Sequence, residues 1–269
     1  MPSSFFGWVG FLAKQYGGLF LRGTVNTLLI AVTGTILGFL IGLLVAIVRA
    51  TSPMPAHGHR TAAAAVRSAL LKAVQLLLAA YIQVFRGTPM IVQAMVIYYG
   101  ALQYLGLDMP RLVAAIFIVS INTGAYMAEI IRGGIISIDK GQTEAAHSIG
   151  LTHWQTMVSV VLPQAIRNIM PSIGNEFVVN IKDSSVLNVI SVTELFFQAK
   201  SATGAYFRYF ETYFIIALIY LTLTFTITRI LRLIEKKMDG PENYVIHGSQ
   251  SDSHAAIAVH EEGKNGTCD

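Results

Sequence analysis

Gly23 to Val48 reads GTVNTLLIAVTGTILGFLIGLLVAIV, without a single Asp, Glu, Lys, Arg or His. A membrane-crossing helix needs roughly 20 consecutive apolar residues. In lipid every peptide N–H and C=O must find its partner within the chain, so such a run is a helix. Gly87 to Leu107 is equally free of those residue types, and Leu112 to Ala128 and Thr212 to Thr228 are shorter runs of the same kind. With 54% hydrophobic and 13% charged residues, the chain has too little charge to cover a soluble domain of 269 residues. The short alternating segments of a β-barrel are missing. The fold class expected is all-α and integral to the membrane, with lipid as a partner.

The remaining composition excludes further classes. The net charge of +4 comes from basic residues flanking the apolar runs, so no nucleic acid is implied. Cys268 is the one cysteine, which leaves no internal disulfide and no thiolate metal cluster. His57, His59, His147 and His153 have no metal-ligand spacing and read as solvated loop residues. No metal or other cofactor is called for. The first run is too long for a signal-peptide core, so it is expected to be a retained helix.

Outward from Gly23–Val48, five crossings are expected: Leu21 to Val48, Leu76 to Gly100, Arg111 to Gly133, Gln164 to Ile190 and Tyr206 to Leu231. Residues 1–20 form an N-terminal interfacial segment, 21–237 a transmembrane domain with a polar loop at about 139–163, and 238–269 a hydrophilic, disordered tail. Asn265-Gly266-Thr267 in that tail matches a glycosylation acceptor by chance. Gly34, Gly38 and Gly42 recur every four residues and give the first crossing one face for close packing. Pro89, in Arg86-Gly87-Thr88-Pro89, disfavours helix at Thr88 and removes a donor. Two readings follow: Leu76 to Gly100 is one broken crossing, or it is two. The connecting residues are too few and too lightly charged for a loop, which favours one. Arg49, Arg60, Arg67, Lys72, Arg132, Lys140 and the basic end after the fifth crossing then share one side. Fewer basic residues (Lys14, Arg22, Arg111, Lys200 and Arg208) face the other. The positive-inside rule places the N-terminus outside and the C-terminus in the cytoplasm.

The polar loop carries Glu144-Ala145-Ala146-His147-Ser148-Ile149-Gly150 and then Val160-Val161-Leu162-Pro163. It resembles the EAA loop of ABC importer permeases: Glu-Ala-Ala, three residues, Gly, nine residues, Ile-x-Leu-Pro, with Val160 in place of Ile. Gly23-Thr24-Val25-Asn26-Thr27-Leu28, Arg86-Gly87-Thr88-Pro89, Tyr126-x-x-Glu129-x-x-Arg132-Gly133-Gly134, Gly174-Asn175-Glu176-Phe177 and Lys182-Asp183-Ser184-Ser185 are similar to the polar amino acid branch, the histidine, glutamine, glutamate, arginine and opine permeases. The resemblance covers about residues 19 to 237; the stretch Ser52 to Leu71 is longer than that branch has. It implies a type I ABC importer permease fold in a bacterial inner membrane. It implies as partners two copies of an ABC ATP-binding subunit, a second permease chain, identical or similar, and a periplasmic or extracellular amino-acid-binding protein. Glu144, Ala145, Ala146 and Gly150 would then couple to the ATPase: alanine favours a short helix, Gly150 ends it, and small side chains permit close docking. No Gly-x-x-x-x-Gly-Lys-Ser/Thr loop is present, so the chain is expected to be no enzyme, with ATP hydrolysis on a separate subunit.

Ionisable groups at membrane depth cost roughly 2.5–3.5 kcal/mol each on insertion scales. Glu176, Asn180 and Asp183 stand at i, i+4 and i+7, on one helix face. They are expected to line the substrate pathway, where a carboxylate can pair an amino acid's ammonium group; alternatively they pair with basic residues and only hold the bundle together. Lys182 lies off this stripe and meets a substrate carboxylate only if the helix unwinds near Asp183. Arg86, beside the break, receives the substrate carboxylate or serves as counterion to Glu176 or Glu129. Glu129 and Arg132, three apart, are expected to pair locally. An ion-driven secondary transporter with Glu176 and Asp183 as proton carriers leaves the EAA loop unexplained, and five helices do not divide into paired repeats. A membrane enzyme lacks a nucleophile–base pair or a His-Glu-x-x-His motif.

Overall fold

The computed structural model describes residues 2–50, 62–239 and two short strands at 245–246 and 257–258. Arg60, His57, His59, most of the expected tail, Asn265 and Cys268 lie outside the described residues. Among the described residues, nine α-helices carry the fold: α1 (Phe5–Ala50), α2 (Ala62–Gly87), α3 (Met90–Leu105), α4 (Arg111–Ile136), α5 (Lys140–Ser148), α6 (His153–Thr156), α7 (Leu162–Asp183), α8 (Leu195–Tyr206) and α9 (Tyr209–Asp239). The strands Val245–Ile246 and Ile257–Ala258 pair antiparallel. Among the described residues, α1, α2, α4 and α9 are long and apolar enough to cross a membrane by themselves.

The seam between α1 and α4 sets the direction of everything else. Gly34 faces Val119, Gly38 faces Thr123 and Gly42 faces Met127. The partner number rises in step with the glycine number, so α1 and α4 run parallel. Two parallel passes are separated by an odd number of crossings, and among the described residues only α2 and α3 lie between them. Those two helices therefore make one broken crossing. Their packing agrees: Leu78 and Ile82 of α2 cluster with Ala128, Tyr81 Oη donates to the Ile121 carbonyl, and Met90, Ala94 and Ile97 of α3 join the cluster around Ala115 and Ile118. The path climbs α4 without turning back.

Pro89 explains why the break costs little. It has no N–H for the Phe85 carbonyl, which an intact helix would satisfy. Gln93 takes over, its Nε2 donating to the carbonyls of Phe85 and Thr88, 2.9 Å in each case. Asn122 of α4 donates to Gln93 Oε1 at 2.8 Å, so the repaired break is tied to the neighbouring helix.

α7 is the fourth pass and the most polar. Ile169 packs on Gly134 of α4 while Asn180 meets Thr123, so α7 runs antiparallel to α4. It starts behind a π-helical turn, Met157–Val161, and passes into a 3-10 helix, Ser184–Ile190; the expected single helix Gln164 to Ile190 is thus divided at Asp183. α9 returns antiparallel, with Leu231 beside Gly174. The fifth crossing extends beyond the expected Leu231 to Asp239.

One expectation needs correction. Residues 1–20 are not a separate interfacial helix: from Phe5 onward they continue into the crossing as one 46-residue helix. At 1.5 Å per residue it is about 69 Å long, twice the roughly 30 Å hydrocarbon core. Its N-terminal half is held by packing, with Trp8, Leu12 and Phe20 buried against Leu195 and Ala199 of α8 and Ile215 of α9, and the Arg208 guanidinium 4.5 Å above the Trp8 ring.

Candidate functional site

The loop between α4 and α7 is built from two local stop-and-start signals. Asp139 caps α5, its Oδ1 accepting from the Gly141 amide. At the other end Gly150 adopts φ +86°, its amide donates to the His147 carbonyl and the Leu151 amide to the Ala146 carbonyl. This is a Schellman ending, which needs the left-handed conformation that glycine alone adopts freely. Thr152 and Gln155 then exchange the hydrogen bonds of a capping box and start α6. Ala146 is buried on the side that packs back, while Glu144, Ala145 and Gly150 are exposed. Ile149 is 79% and Trp154 62% exposed. The sequence does not single out these two; next to the alanines they turn the α5–α6 elbow into an apolar, convex knob ringed by polar groups. Among the described residues none covers that knob.

On α7 the structure separates residues that the spacing groups together. Asn180 is 3% exposed; its Nδ2 donates to Thr35 Oγ1 on α1, and Thr123 Oγ1 of α4 donates to its Oδ1. It ties three helices together and does not share an open face with Glu176, which corrects its place on the pathway. Glu176 is half-buried, and Asp183 and Lys182 are exposed. Lys182 and Ser185 border a small, mainly apolar pocket with Phe196, Tyr213 and Tyr220. α7 ends at Asp183, the place where unwinding would bring Lys182 round toward Asp183.

Arg86 ends α2 and lies over the Tyr126 ring of α4, 5.5 Å from its centre. It acts electrostatically on Glu176 without closing an ion pair with it. Glu129, one turn beyond Tyr126, pairs with Arg132 at 2.7 Å as its spacing predicts and also with Arg49 at the end of α1. That second, cross-helix bond is invisible to a local spacing rule, because 80 residues separate the partners.

Glu194 was missed altogether. It is wholly buried in the connection between the fourth and fifth crossings, where it caps α8 by accepting from the Phe196 and Phe197 amides. Tyr220 Oη donates to it at 3.1 Å. Burial pushes its carboxyl up to about 7, against the pull of these donors. An acid directly before the apolar run Leu195-Phe196-Phe197 is the available signal, since a carboxylate suits a helix N-terminus.

Comparison with known proteins places these features in context. Residues 61–240 match the family model of the binding-protein-dependent transport system inner membrane component. The glutamine transport system permease protein GlnP of Escherichia coli (strain K12) is 36% identical over 221 residues, 82% of this chain and 93% of that protein. The arginine transport system permease protein ArtQ of Bacillus subtilis (strain 168) is 40% identical over 158 residues, 59% of this chain and 72% of that protein. Among solved structures, a chain of an amino acid ABC transporter with histidines superposes with a TM-score of 0.74 at 38% identity, over 88% of this chain and all of that one. A chain of the inward-facing MetNI methionine ABC transporter shares the fold, with a TM-score of 0.66 at 20% identity over 82% of this chain and 96% of that one.

Proposed function

The chain belongs to the family of binding-protein-dependent transport system inner membrane components, and we propose that it moves polar amino acids inward by alternating access, driven by ATP hydrolysed on a separate subunit. The observation that carries this is the α5–α6 elbow: a rigidly capped, apolar knob projecting between α4 and α7. Glu144, Ala145, Ala146 and Gly150 shape it, with Ile149 and Trp154 at its crest. Two ATP-binding subunits each receive one such knob from a pair of permease chains, identical or similar. An amino-acid-binding protein delivers substrate on the opposite side. The N-terminus then lies outside and the C-terminus in the cytoplasm, in keeping with the basic side of the helices. Relatives named for glutamine and arginine transport support the substrate class.

The mechanism follows from the connections. α5 joins α4 directly, and α6 leads through the π-helical turn into α7, so displacing the elbow pulls on both helices at once. Glu176, Asp183, Lys182 and Arg86 line the pathway on α7 and at the end of α2, with carboxylates for the ammonium group and cations for the carboxylate. Asn180 keeps α7 in register with α1 and α4 while they move.

The test is ATPase activity of the reconstituted complex with and without loaded binding protein, for wild type, Glu144→Lys and Gly150→Asp. Stimulation by loaded binding protein that the loop variants lose is expected. Uptake that needs no ATPase and follows a proton or sodium gradient would refute the proposal and make Glu176 and Asp183 ion carriers.

A further inference from the structure

Below the repaired break, α1, α2 and α4 border an open pocket of about 500 Å3 whose polar lining is Arg49, Gln83, Arg86, Tyr126 and Glu129. That volume falls within the roughly 300–1,000 Å3 of small-molecule sites. Two guanidiniums, each with five N–H donors in a planar fork, share it with one aromatic face and with the Glu129 carboxylate, whose Oε1 takes Arg49 and whose Oε2 takes Arg132. Arg49 gives Glu129 one contact through its NH1 nitrogen, which leaves other donors free for a second oxygen pair. Arg86 is held over Tyr126, which orients its fork without consuming its hydrogen bonds. A simple anion would be attracted by the cations but repelled by Glu129. A molecule carrying both a carboxylate and an ammonium group satisfies all of them, its carboxylate on the arginines and its ammonium beside Glu129 and the Tyr126 face.

The level of the cavity along the bundle matters as well. Asn180 stands opposite Thr123, and Ile169 opposite Gly134. Asp183 therefore lies beyond Thr123, away from α5, and Glu129 lies nearer the α5 end. We propose that this cavity is a second station, on the cytoplasmic side of Asp183, which holds the zwitterionic end of the transported amino acid before release. The proposal rests on the amino acid import reading above. Arg86, within reach of both levels, hands the carboxylate from one station to the next. A filled lower station blocks the next arrival, so amino acid accumulated on the cytoplasmic side slows its own import.

The experiment uses the complete complex in proteoliposomes, with ATP and a graded amount of unlabelled amino acid in the lumen, which corresponds to the cytoplasm. Loaded binding protein carries labelled glutamine, arginine or histidine outside, and the one that wild type imports is used throughout. Each protein is scored by its own ratio of uptake with and without luminal amino acid. Glu129→Gln removes the carboxylate; Gln83→Trp, at an exposed position, fills the cavity while leaving every ion-pair member in place. In both, the luminal concentration that halves uptake rises at least tenfold over wild type. Halving at the wild-type concentration in either folded, transporting variant overturns the proposal. So does a variant effect seen only when phosphatidylglycerol is present in the vesicles, which assigns the cavity to lipid phosphate. Absence of uptake of any of the three amino acids by wild type instead overturns the import reading itself.

Discussion

Adding one methyl group at Gly42 separates the α1–α4 seam. A Cβ built there stands 2.5 Å from Met127 Cβ, 2.8 Å from the Ala128 amide nitrogen and 2.9 Å from the Met127 carbonyl carbon. Ordinary contact begins near 3.4 Å, so the helices must part by about 3.4 − 2.5 = 0.9 Å at this point. Two of the three obstacles are backbone atoms, which cannot rotate away. At Gly34, by contrast, the Cβ meets Val119 Cγ1 at 2.5 Å and Val119 Cβ at 3.0 Å, and the nearest backbone atom of Val119 is 3.8 Å away, so the clash is with a side chain alone. Overpacking costs about 1–3 kcal/mol, set against about 1 kcal/mol of helix propensity gained on replacing glycine by alanine. Gly17 on the same helix has nothing within 4 Å of a Cβ, so Gly17→Ala collects the propensity gain alone. Reversible unfolding in mixed micelles should place Gly42→Ala about 1–3 kcal/mol below Gly17→Ala, with Gly34→Ala between them. Equal stabilities of Gly42→Ala and Gly17→Ala, or a larger loss at Gly34 than at Gly42, would refute the parallel seam and with it the single broken crossing.

Other outcomes follow from the same geometry. Gln93→Leu removes the bonds from Gln93 to the Phe85 and Thr88 carbonyls and from Asn122 to Gln93, leaving Asn122 its longer bond of 3.4 Å to the Phe85 carbonyl; at about 0.6 kcal/mol per intramembrane hydrogen bond the loss is about 2 kcal/mol, and micelle unfolding that shows under 0.5 kcal/mol would mean the break is satisfied some other way. Glu194 has a folded-state pKa of about 7, above the roughly 4.3 of an unfolded glutamate. The folded state therefore holds the extra proton between these values, and stability falls as pH rises from about 4.3 to about 7 and then levels off. Unfolding midpoints across this window should show the slope in wild type and its absence in Glu194→Gln; parallel curves would disprove the assignment. Glu176→Gln and Asp183→Asn should each weaken uptake affinity about tenfold or more, the scale of one lost charge-assisted contact of roughly 1.5–3 kcal/mol; unchanged affinity and selectivity in both would leave them as bundle residues only.

In the proposed mechanism the elbow and the cavity move together. Glu129 binds Arg49 of α1 three residues beyond Tyr126, and seven residues later α4 ends and leads into α5. Motion of α5 therefore reaches the Arg49–Glu129 bond before it reaches the Gly42 contact. The seam is held by close helix contacts at Gly42, and the contact nearer α5 is the cross-helix Arg49–Glu129 ion pair.

Much of this was legible in the chain alone. Uninterrupted apolar runs mean helices in lipid, because no water is there to accept a free peptide group. The four-residue glycine spacing marked the packing face of α1, and Glu144 to Gly150 marked both the short helix α5 and its left-handed stop. These are local or periodic properties, encoded within a few turns of helix. What no local rule contains is which residues meet across the bundle. Glu176, Asn180 and Asp183 share a face by spacing, yet Asn180 is turned inward by hydroxyl groups on α1 and α4, 145 and 57 residues away. Gln93 repairs a break only because it lies one turn past a proline and against Asn122. Glu129 has a partner within its own turn, and only the parallel register of α1 brings Arg49 to its other oxygen. The sequence alone determined that there would be helices, where they break and which loop projects. The tertiary structure decided which polar side chains hold the bundle together and which remain facing an open cavity, because burial and pairing are settled by the neighbouring helices rather than by the turn a residue sits in.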